Sequence, residues 1–179
     1  MRRCPSAPVR PRRGLDLLTR VVAQFESFRA SPYPDPVGKM TVGWGHMIKD
    51  GEALATPMTE EQGMKLLEAD LAQQSRFVDT LFHGVWLAPY EIQALTSFCF
   101  NTGAGNLAGS TLRKRIMSGD KRAASHEFIR WVWATHSDGT RVRLPGLVKR
   151  RDIEAIWFLG AHPNTIERLA GIPADTDDE

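Results

Sequence analysis

A short segment rich in proline and glycine interrupts an otherwise helical pattern, and it limits the possible folds of this chain more than any other feature. The residues before it carry an apolar stripe of helical spacing, formed by Leu15, Leu18, Val22, Phe25 and Phe28. Pro32, Pro34 and Pro36 then end the helix, because proline lacks the backbone N–H and its ring clashes with the preceding turn. From Met40 to Trp44 apolar residues alternate with polar or small ones, which predicts an antiparallel hairpin turning near Val37–Gly38.

Most of the remaining chain carries helix signals. Thr59 and Gln62 have the spacing of a capping box, which opens a long helix. Pro89 suits the first turn of the next helix, which is expected to close at Gly103. Further helix starts are predicted at Ser110, Asp120 and Pro145. These signals predict an α+β fold that is mostly helical with one small antiparallel sheet.

Two of these helices are predicted to extend far along the chain. The helix that starts at Asp120 is expected to include Trp131 and Val132, since both continue an apolar pattern. The helix that starts at Pro145 is expected to be the last long one and to run to Gly160.

The chain of 179 residues fits one medium-sized domain with a buried core. We expect a disordered basic tail at residues 1–13, a single domain at 14–173 and a short acidic tail at 174–179. Within the domain we expect a small β-containing lobe at about 29–60 and a helical lobe at about 61–160. The net charge of +2 is too small to indicate nucleic-acid binding, but it suits an anionic polymer such as a bacterial cell wall.

Several classes of site and location are disfavoured. Cys4 and Cys99 are expected to be free thiols, because two cysteines do not make a disulfide framework. The five histidines show no metal-ligand spacing, so we expect neither a metal nor a cofactor. The basic start lacks an apolar region, which predicts neither a signal peptide nor stable membrane insertion. The tryptophans are expected at helical core positions, and no nucleic-acid motif is present.

Three side chains around the proline-rich segment form a candidate catalytic set. Glu26 ends the first helix at the border of its apolar face, Asp35 lies nine residues later between two prolines, and Thr41 follows after six more. A proton donor against an apolar wall, a more exposed carboxylate and a water-positioning hydroxyl are the groups with which a glycosidase cleaves an acetal. Taken singly, each also fits a plainer role: a surface glutamate, a turn-forming aspartate and a β-branched strand residue.

The joint pattern is more specific than its parts. The segment FESFRASPYPDPVGKMTVGWGH, followed in order by SFCFNTGAGNLAGSTL, AASHEFIRWVWA and LPGLVKRR, resembles the phage-type lysozymes, the endolysins of glycoside hydrolase family 24. The similarity extends over roughly residues 14–160. It implies a lysozyme-like fold in which the small β-hairpin or sheet forms one wall of a cleft.

The resemblance also implies a reaction. An inverting lysozyme (N-acetylmuramidase) would hydrolyse the β-1,4 bond between N-acetylmuramic acid and N-acetylglucosamine in bacterial peptidoglycan. Glu26 would be the acid, while Asp35 and Thr41 would hold the attacking water on the opposite face of the sugar. Such an enzyme would be monomeric, would accumulate in the host cytoplasm, and would act on the wall in the periplasm after the membrane is permeabilised.

Further residues in the matching segments are candidates for binding the sugar: Met47, Phe100 and Thr111. Core packing is the plainer interpretation of the first two, and a helix start that of Thr111. His46 is a fourth candidate, although a structural bond to a carboxylate, with Asp70 as the proposed partner, is favoured.

The basic run Lys149, Arg150 and Arg151 could pair with Glu26 or contact the anionic wall, and a solvated basic face is favoured for most of it.

Two alternatives to the hydrolase remain open. A lytic transglycosylase would cut the same bond without water and leave an anhydro sugar, although the presence of both Asp35 and Thr41 argues against it. A non-catalytic wall-binding protein could use the same scaffold.

Overall fold

The computed structural model describes residues 17–35, 38–135 and 139–173, and within these ranges it contains eight helices and five short strands. The helices are α1 (Leu17–Phe25), α2 (Glu60–Leu81), α3 (Pro89–Thr102), α4 (Ala104–Gly109), α5 (Thr111–Met117), α6 (Lys121–Phe128), α7 (Pro145–Phe158) and α8 (Pro163–Ala170). The strands are β1 (Arg29–Pro34), β2 (Met40–Gly43), β3 (His46–Met47), β4 (Trp133–Thr135) and β5 (Arg141–Arg143). The expectations for both tails, Cys4, Leu15 and the turn residue Val37 lie outside the described residues. The mostly helical α+β class is confirmed.

The proline-rich segment is a strand as well as a turn. β1, β2 and β3 form an antiparallel sheet in that order, with Tyr33 opposite Thr41 and Val42 opposite His46. The helix α1 ends at Phe25, so the prediction that Phe28 continues the helical stripe is wrong. Pro32 and Pro34 fit in β1 because it is an edge strand, where the missing N–H interrupts no ladder on the open side.

The core is built around α3, which packs against α2 on one side and α7 on the other. Every residue from Ala94 to Cys99 is buried, so this helix is covered on all sides over that stretch. Phe98 lies edge-on to Phe128 and Trp131, with ring centroids 5.3 Å and 5.5 Å away. The central helix therefore lies at the centre of the core, α1 packs against both α2 and α3, and the sheet packs against α2.

Local signals located most helix starts correctly. Thr59 and Gln62 form the reciprocal capping box of α2, with Gln62 N–H donating to Thr59 Oγ1 at 3.2 Å. Pro89 and Pro145 lie in the first turns of α3 and α7. Ser110 and Asp120 cap α5 and α6 by accepting hydrogen bonds from backbone N–H groups.

The C-terminal third differs from the prediction in two ways. α6 ends at Phe128, and the chain then forms a second hairpin from β4 and β5, which places Trp131 and Val132 outside the helix. α7 is the last long helix as expected, but an eight-residue helix that was not expected, α8, follows it and buries Ile166 and Ala170. The helical lobe therefore extends beyond residue 160.

No helix within residues 17–35, 38–135 and 139–173 is both long and apolar enough to cross a bilayer.

Candidate active site

Glu26 lies directly after α1 and faces three different parts of the fold. Its backbone N–H donates to Val22 at 3.1 Å, which continues the helical pattern for one more residue. Its side chain is partly exposed, and Oε1 accepts a hydrogen bond of 2.7 Å from Nη1 of Arg150 on α7. The second oxygen, Oε2, points toward Gly45 in the turn between β2 and β3. One carboxylate oxygen is thus held by the protein and the other faces the hairpin.

Gly45 allows the hairpin to approach this carboxylate. Its φ of +88° lies in the region that side-chain-bearing residues rarely adopt. A Cβ atom at this position would be 3.6 Å from Glu26 Oε2 and 3.7 Å from Cζ of Phe100. Gly45 therefore meets two requirements at once: its backbone conformation favours glycine, and the Glu26 carboxylate lies close to it.

A buried network of charges holds Arg150. Its Nε donates to Glu154 Oε1 at 3.2 Å and its Nη2 donates to the carbonyl of Ser97 at 3.2 Å. The Ser97 hydroxyl donates to the same Glu154 oxygen at 2.7 Å. Arg151 pairs with both oxygens of Glu154, at 2.7 Å and 2.9 Å. Two guanidinium groups and two carboxylates, counting Glu26, balance each other in one connected cluster.

This network corrects the expectation of a solvated basic face. Arg150 is 3 % exposed and Arg151 is fully buried, and only Lys149 of the three lies at the surface. Burial lowers the pKa of the Arg151 guanidinium, and the neighbouring Glu154 carboxylate opposes that change. The spacing of Arg150 and Arg151 to Glu154 on one helix is the sequence signal for this cluster, since residues three and four apart are neighbours.

Asp35 lies in the connection between β1 and β2 and Thr41 lies in β2, whereas Glu26 faces the turn between β2 and β3. Asp35 closes the connection between β1 and β2, where its Oδ1 accepts from the N–H of Lys39 at 2.8 Å. Thr41 is buried in β2, and its hydroxyl donates to the carbonyl of Lys39 at 3.2 Å. The Glu26 carboxylate binds Arg150 and faces Gly45.

His46 connects the hairpin to α2. Its Nδ1 lies 2.8 Å from Asp70 Oδ2, so the proposed partner is confirmed, and its Nε2 lies 3.0 Å from Glu52 Oε2. The ring is 4 % exposed. Burial acts to lower its pKa, but the hydrogen bonds to Glu52 and Asp70 outweigh burial, so the pKa of His46 is raised. With both ring nitrogens bonded inside the protein, this geometry favours a structural role over direct sugar contact.

The other sugar-contact candidates occupy three different environments. Met47 on β3 is 48 % exposed, which suits contact with a ligand better than core packing. Phe100 is partly buried, packs against the core and also touches the region between Gly45 and Glu26. Thr111 is the exposed first residue of α5, next to the capping residue Ser110.

A groove on another part of the surface does not contain the candidate catalytic residues. It has a volume of about 660 Å³ and lies along α7 and α8, where Val148, Ile153 and Leu169 line it. None of Glu26, Asp35 and Thr41 belongs to it. No group of histidine, cysteine and acidic side chains that could hold a metal ion occurs in the described parts of the chain.

Comparison with known proteins gives a consistent result. A family model described as phage lysozyme matches residues 23–154. An endolysin of Acyrthosiphon pisum secondary endosymbiont phage 1 is 34% identical over 143 residues, which cover 79% of this chain and 94% of that protein. A SAR-endolysin of Escherichia phage Mu is also 34% identical over 143 residues, covering 79% of each chain.

Solved structures of similar shape include two proteins with informative names. The muramidase domain of SpmX from Asticaccaulis excentricus has a TM-score of 0.70 and 28% identity, covering 79% of this chain and 94% of that one. An endolysin from Escherichia coli O157:H7 phage FAHEc1 has a TM-score of 0.70 and 27% identity, covering 87% of this chain and 97% of that one.

Proposed function

Because this chain belongs to the phage lysozyme family and is an endolysin that lyses peptidoglycan, we propose that it cleaves the β-1,4 bond between N-acetylmuramic acid and N-acetylglucosamine with inversion. One observation carries the proposal for the reaction. The Glu26 carboxylate is held through Oε1 by a buried arginine, while Oε2 faces the glycine turn of the sheet. A carboxyl group fixed in this way can present one oxygen to a glycosidic bond.

In the proposed reaction, Glu26 Oε2 delivers a proton to the leaving sugar oxygen. A water molecule attacks the anomeric carbon from the opposite face and takes the hydroxyl position of inverted configuration. Asp35 accepts one proton of this water, and the other hydrogen stays on the new hydroxyl group while it donates a hydrogen bond to the Thr41 oxygen, whose own hydrogen is directed to the Lys39 carbonyl. An inverting enzyme needs room for a water molecule between its two carboxyl groups, so the proposal requires that Glu26 and Asp35 lie on opposite faces of the bound sugar.

A comparison of wild type with Glu26→Gln on purified peptidoglycan tests the acid. Loss of a general acid typically lowers a rate by a factor of about 10² to 10⁴. We expect that loss in Glu26→Gln, and none in the matched surface variant Glu61→Gln, whose side chain pairs with Lys65 in solvent. Equal rates for wild type and Glu26→Gln would exclude Glu26 as the acid.

Product analysis tests the bond and the use of water. Mass spectrometry should detect reducing N-acetylmuramic acid ends, and NMR of the earliest products should show the α-anomer. An anhydro product would instead assign the protein to the lytic transglycosylases. Initial β-anomer would contradict inversion.

The wall lies outside the inner membrane, so the proposal includes a change of compartment. We propose that the protein accumulates in the host cytoplasm as a monomer and reaches the periplasm once the membrane is permeabilised. Fractionation of intact host cells before lysis should find it with cytoplasmic markers. Recovery with periplasmic markers before permeabilisation would contradict this route.

A further inference from the structure

The hairpin formed by β4 and β5 carries an aromatic and cationic face that has no role in the site described above. Trp133 lies opposite Arg143, and Thr135 lies opposite Arg141. Residues directly opposite in an antiparallel pair point to the same side, so these four side chains share one face. Trp133 is 47 % exposed, both arginines are exposed, and the Arg141 guanidinium lies 5.3 Å from the centre of the indole ring.

The two arginines of this face have no acidic partner in the part of the chain that the structure describes. Neither Arg141 nor Arg143 forms an ion pair with a carboxylate in residues 17–35, 38–135 and 139–173. A second exposed tryptophan, Trp86, is 77 % exposed and also has a cation beside its indole ring. Its partner Lys121 lies 5.0 Å from the indole ring and also pairs with Glu91 at 2.8 Å, so that cation is already bound to an acid. Within the described residues, the guanidinium groups of Arg141 and Arg143 therefore have no acidic partner and can bind an external anion.

The hairpin is continuous with the element that holds the catalytic acid. Val132 accepts a hydrogen bond of 3.0 Å from the N–H of Leu144, which closes the base of the hairpin directly before α7. Five residues, or about 7.5 Å of helix rise, separate Pro145 from Arg150, the partner of Glu26. The base of the hairpin therefore lies near Arg150, and the inference requires that a polymer strand bound at Glu26 continue over this face.

We propose that the face formed by Trp133, Arg141 and Arg143 is an accessory binding surface for peptidoglycan, on which the indole takes a sugar ring and the guanidinium groups bind carboxylates of the peptide stems. Charge complementarity argues for this occupant, because the stems carry free carboxylates and guanidinium binds carboxylate with directed hydrogen bonds. The exposed indole offers a rigid apolar surface for the faces of a sugar. The inference rests on the proposed function, since it extends the binding of the same substrate.

Binding to purified peptidoglycan sacculi tests the surface in the full-length Glu26→Gln protein, which is not expected to cut its ligand. We expect Trp133→Ala, and separately the double variant Arg141→Gln/Arg143→Gln, to weaken binding at least about fivefold, as truncation of an interface anchor does. Trp133→Phe should keep most of the affinity because it retains a ring. The control Trp86→Ala, which removes an exposed indole beside a neutralised cation, should bind as the parent does.

Sacculi from which an amidase has removed the peptide stems distinguish the two parts of the ligand. Stem removal should weaken binding of the parent and leave the arginine double variant unchanged. Parent-like binding by both hairpin variants, or an equal loss in Trp86→Ala, would overturn the inference. Thermal unfolding shows whether each variant is folded. If Trp133→Ala does not fold, the arginine double variant alone tests the inference. Failure of wild type to cut sacculi would contradict the proposed function, whereas failure of the hairpin variants to weaken binding contradicts only this inference.

Discussion

At the scale of single residues, the candidate acid depends on side chains buried behind it. Glu154 receives hydrogen bonds from Ser97, Arg150 and Arg151, and Arg150 in turn binds Glu26. A buried ion pair contributes little net stability compared with apolar packing, but removal of one partner leaves an uncompensated charge. The cluster therefore serves to fix the direction of one carboxylate.

Glu154→Gln should destabilise the protein strongly. The change leaves the buried guanidinium group of Arg151 without a carboxylate partner and that of Arg150 with Glu26 alone, which costs about 3–5 kcal/mol of the free energy of unfolding. Urea unfolding of the variant and wild type measures the difference. The control Glu127→Gln removes a carboxylate that pairs with the exposed Arg130, and it should cost less than about 1 kcal/mol. Similar losses in both variants would contradict a special role for the cluster.

Cys99 should be inert in the folded protein. Its side chain is fully buried beside Gln74, and burial raises the pKa of the thiol to about 11. The thiolate is the reactive form, so little of it exists at neutral pH. In a Cys4→Ser variant, where Cys99 is the remaining cysteine, a disulfide reagent at pH 7 should react only as fast as the protein unfolds. Rapid reaction with folded protein would show that this part of the core opens.

At the scale of elements, His46 joins the hairpin of β2 and β3 to α2 and to the loop that connects β3 with α2. Asp70 belongs to α2, and Glu52 belongs to the loop after β3, where it also accepts from the N–H of Lys49 at 3.0 Å. The hairpin that carries Gly45 is thereby attached to α2. The strength of this attachment through His46 is predicted to depend on pH.

The contribution of His46 to stability should decline in alkaline solution. Because the pKa of the folded state is raised, this contribution is complete below the unfolded-state pKa of about 6.5 and is lost as the pH rises through the folded pKa. Urea unfolding from about pH 6 to pH 9 should show a difference between wild type and His46→Gln that shrinks with pH. A constant difference would contradict the raised pKa.

Glu52 should produce the opposite dependence in acid. The hydrogen bond from Lys49, followed by that from His46, lowers the pKa of this carboxyl below its ordinary value of 4.5. Its stabilising contribution is therefore present above 4.5 and is lost as the pH falls through the lower folded pKa. Comparison of wild type with Glu52→Gln between about pH 3 and pH 6 measures this loss. A variant that is equally stable at pH 6 would exclude the contribution.

At the scale of the whole molecule, the two ends of the described chain pack together. α1 contacts α8, where Arg20 forms an ion pair with Glu167, and the side chain of Gln24 approaches Gly171. One apolar cluster extends from Leu18 to Ile172. We therefore propose that residues 14–173 form one domain in spite of the two lobes.

Calorimetry should detect a single cooperative unfolding transition. A shared core predicts equal calorimetric and van't Hoff enthalpies, whereas independently stable lobes would give two transitions. Ile166→Ala on α8 should lower the stability of the whole domain by about 2–5 kcal/mol, since its side chain is fully buried. An effect confined to one of two transitions would contradict the single domain.

The sequence predicted those features that depend on local chemistry. Thr59, Ser110 and Asp120 cap helices with bonds to residues three positions away, so their role can be recognised without knowledge of the fold. The bond between His46 and Asp70 was also predicted, whereas the second partner, Glu52, lies in a loop without a recognisable pattern.

The features that were missed depend on distant contacts. α8 is eight residues long and is stabilised by burial of Ile166 and by the ion pair with α1. The strands β4 and β5 have three residues each, too few for a clear period. Burial of Arg150 and Arg151 was not expected because charged side chains are rarely buried unless they are paired. The roles of Asp35 and Thr41 stay predictions.

The parallel course of α1 and α8 has a consequence for the catalytic end of the molecule. Gly171 lies against Gln24, two residues before Glu26, and the carbonyl of Ala170 accepts a hydrogen bond from Lys149, the neighbour of Arg150. The helix α8 therefore packs behind Glu26, the candidate acid, and behind its partner Arg150. A shortened protein that still folds would lose lytic power without losing any group that touches the sugar, so deletion mapping would misplace the active site.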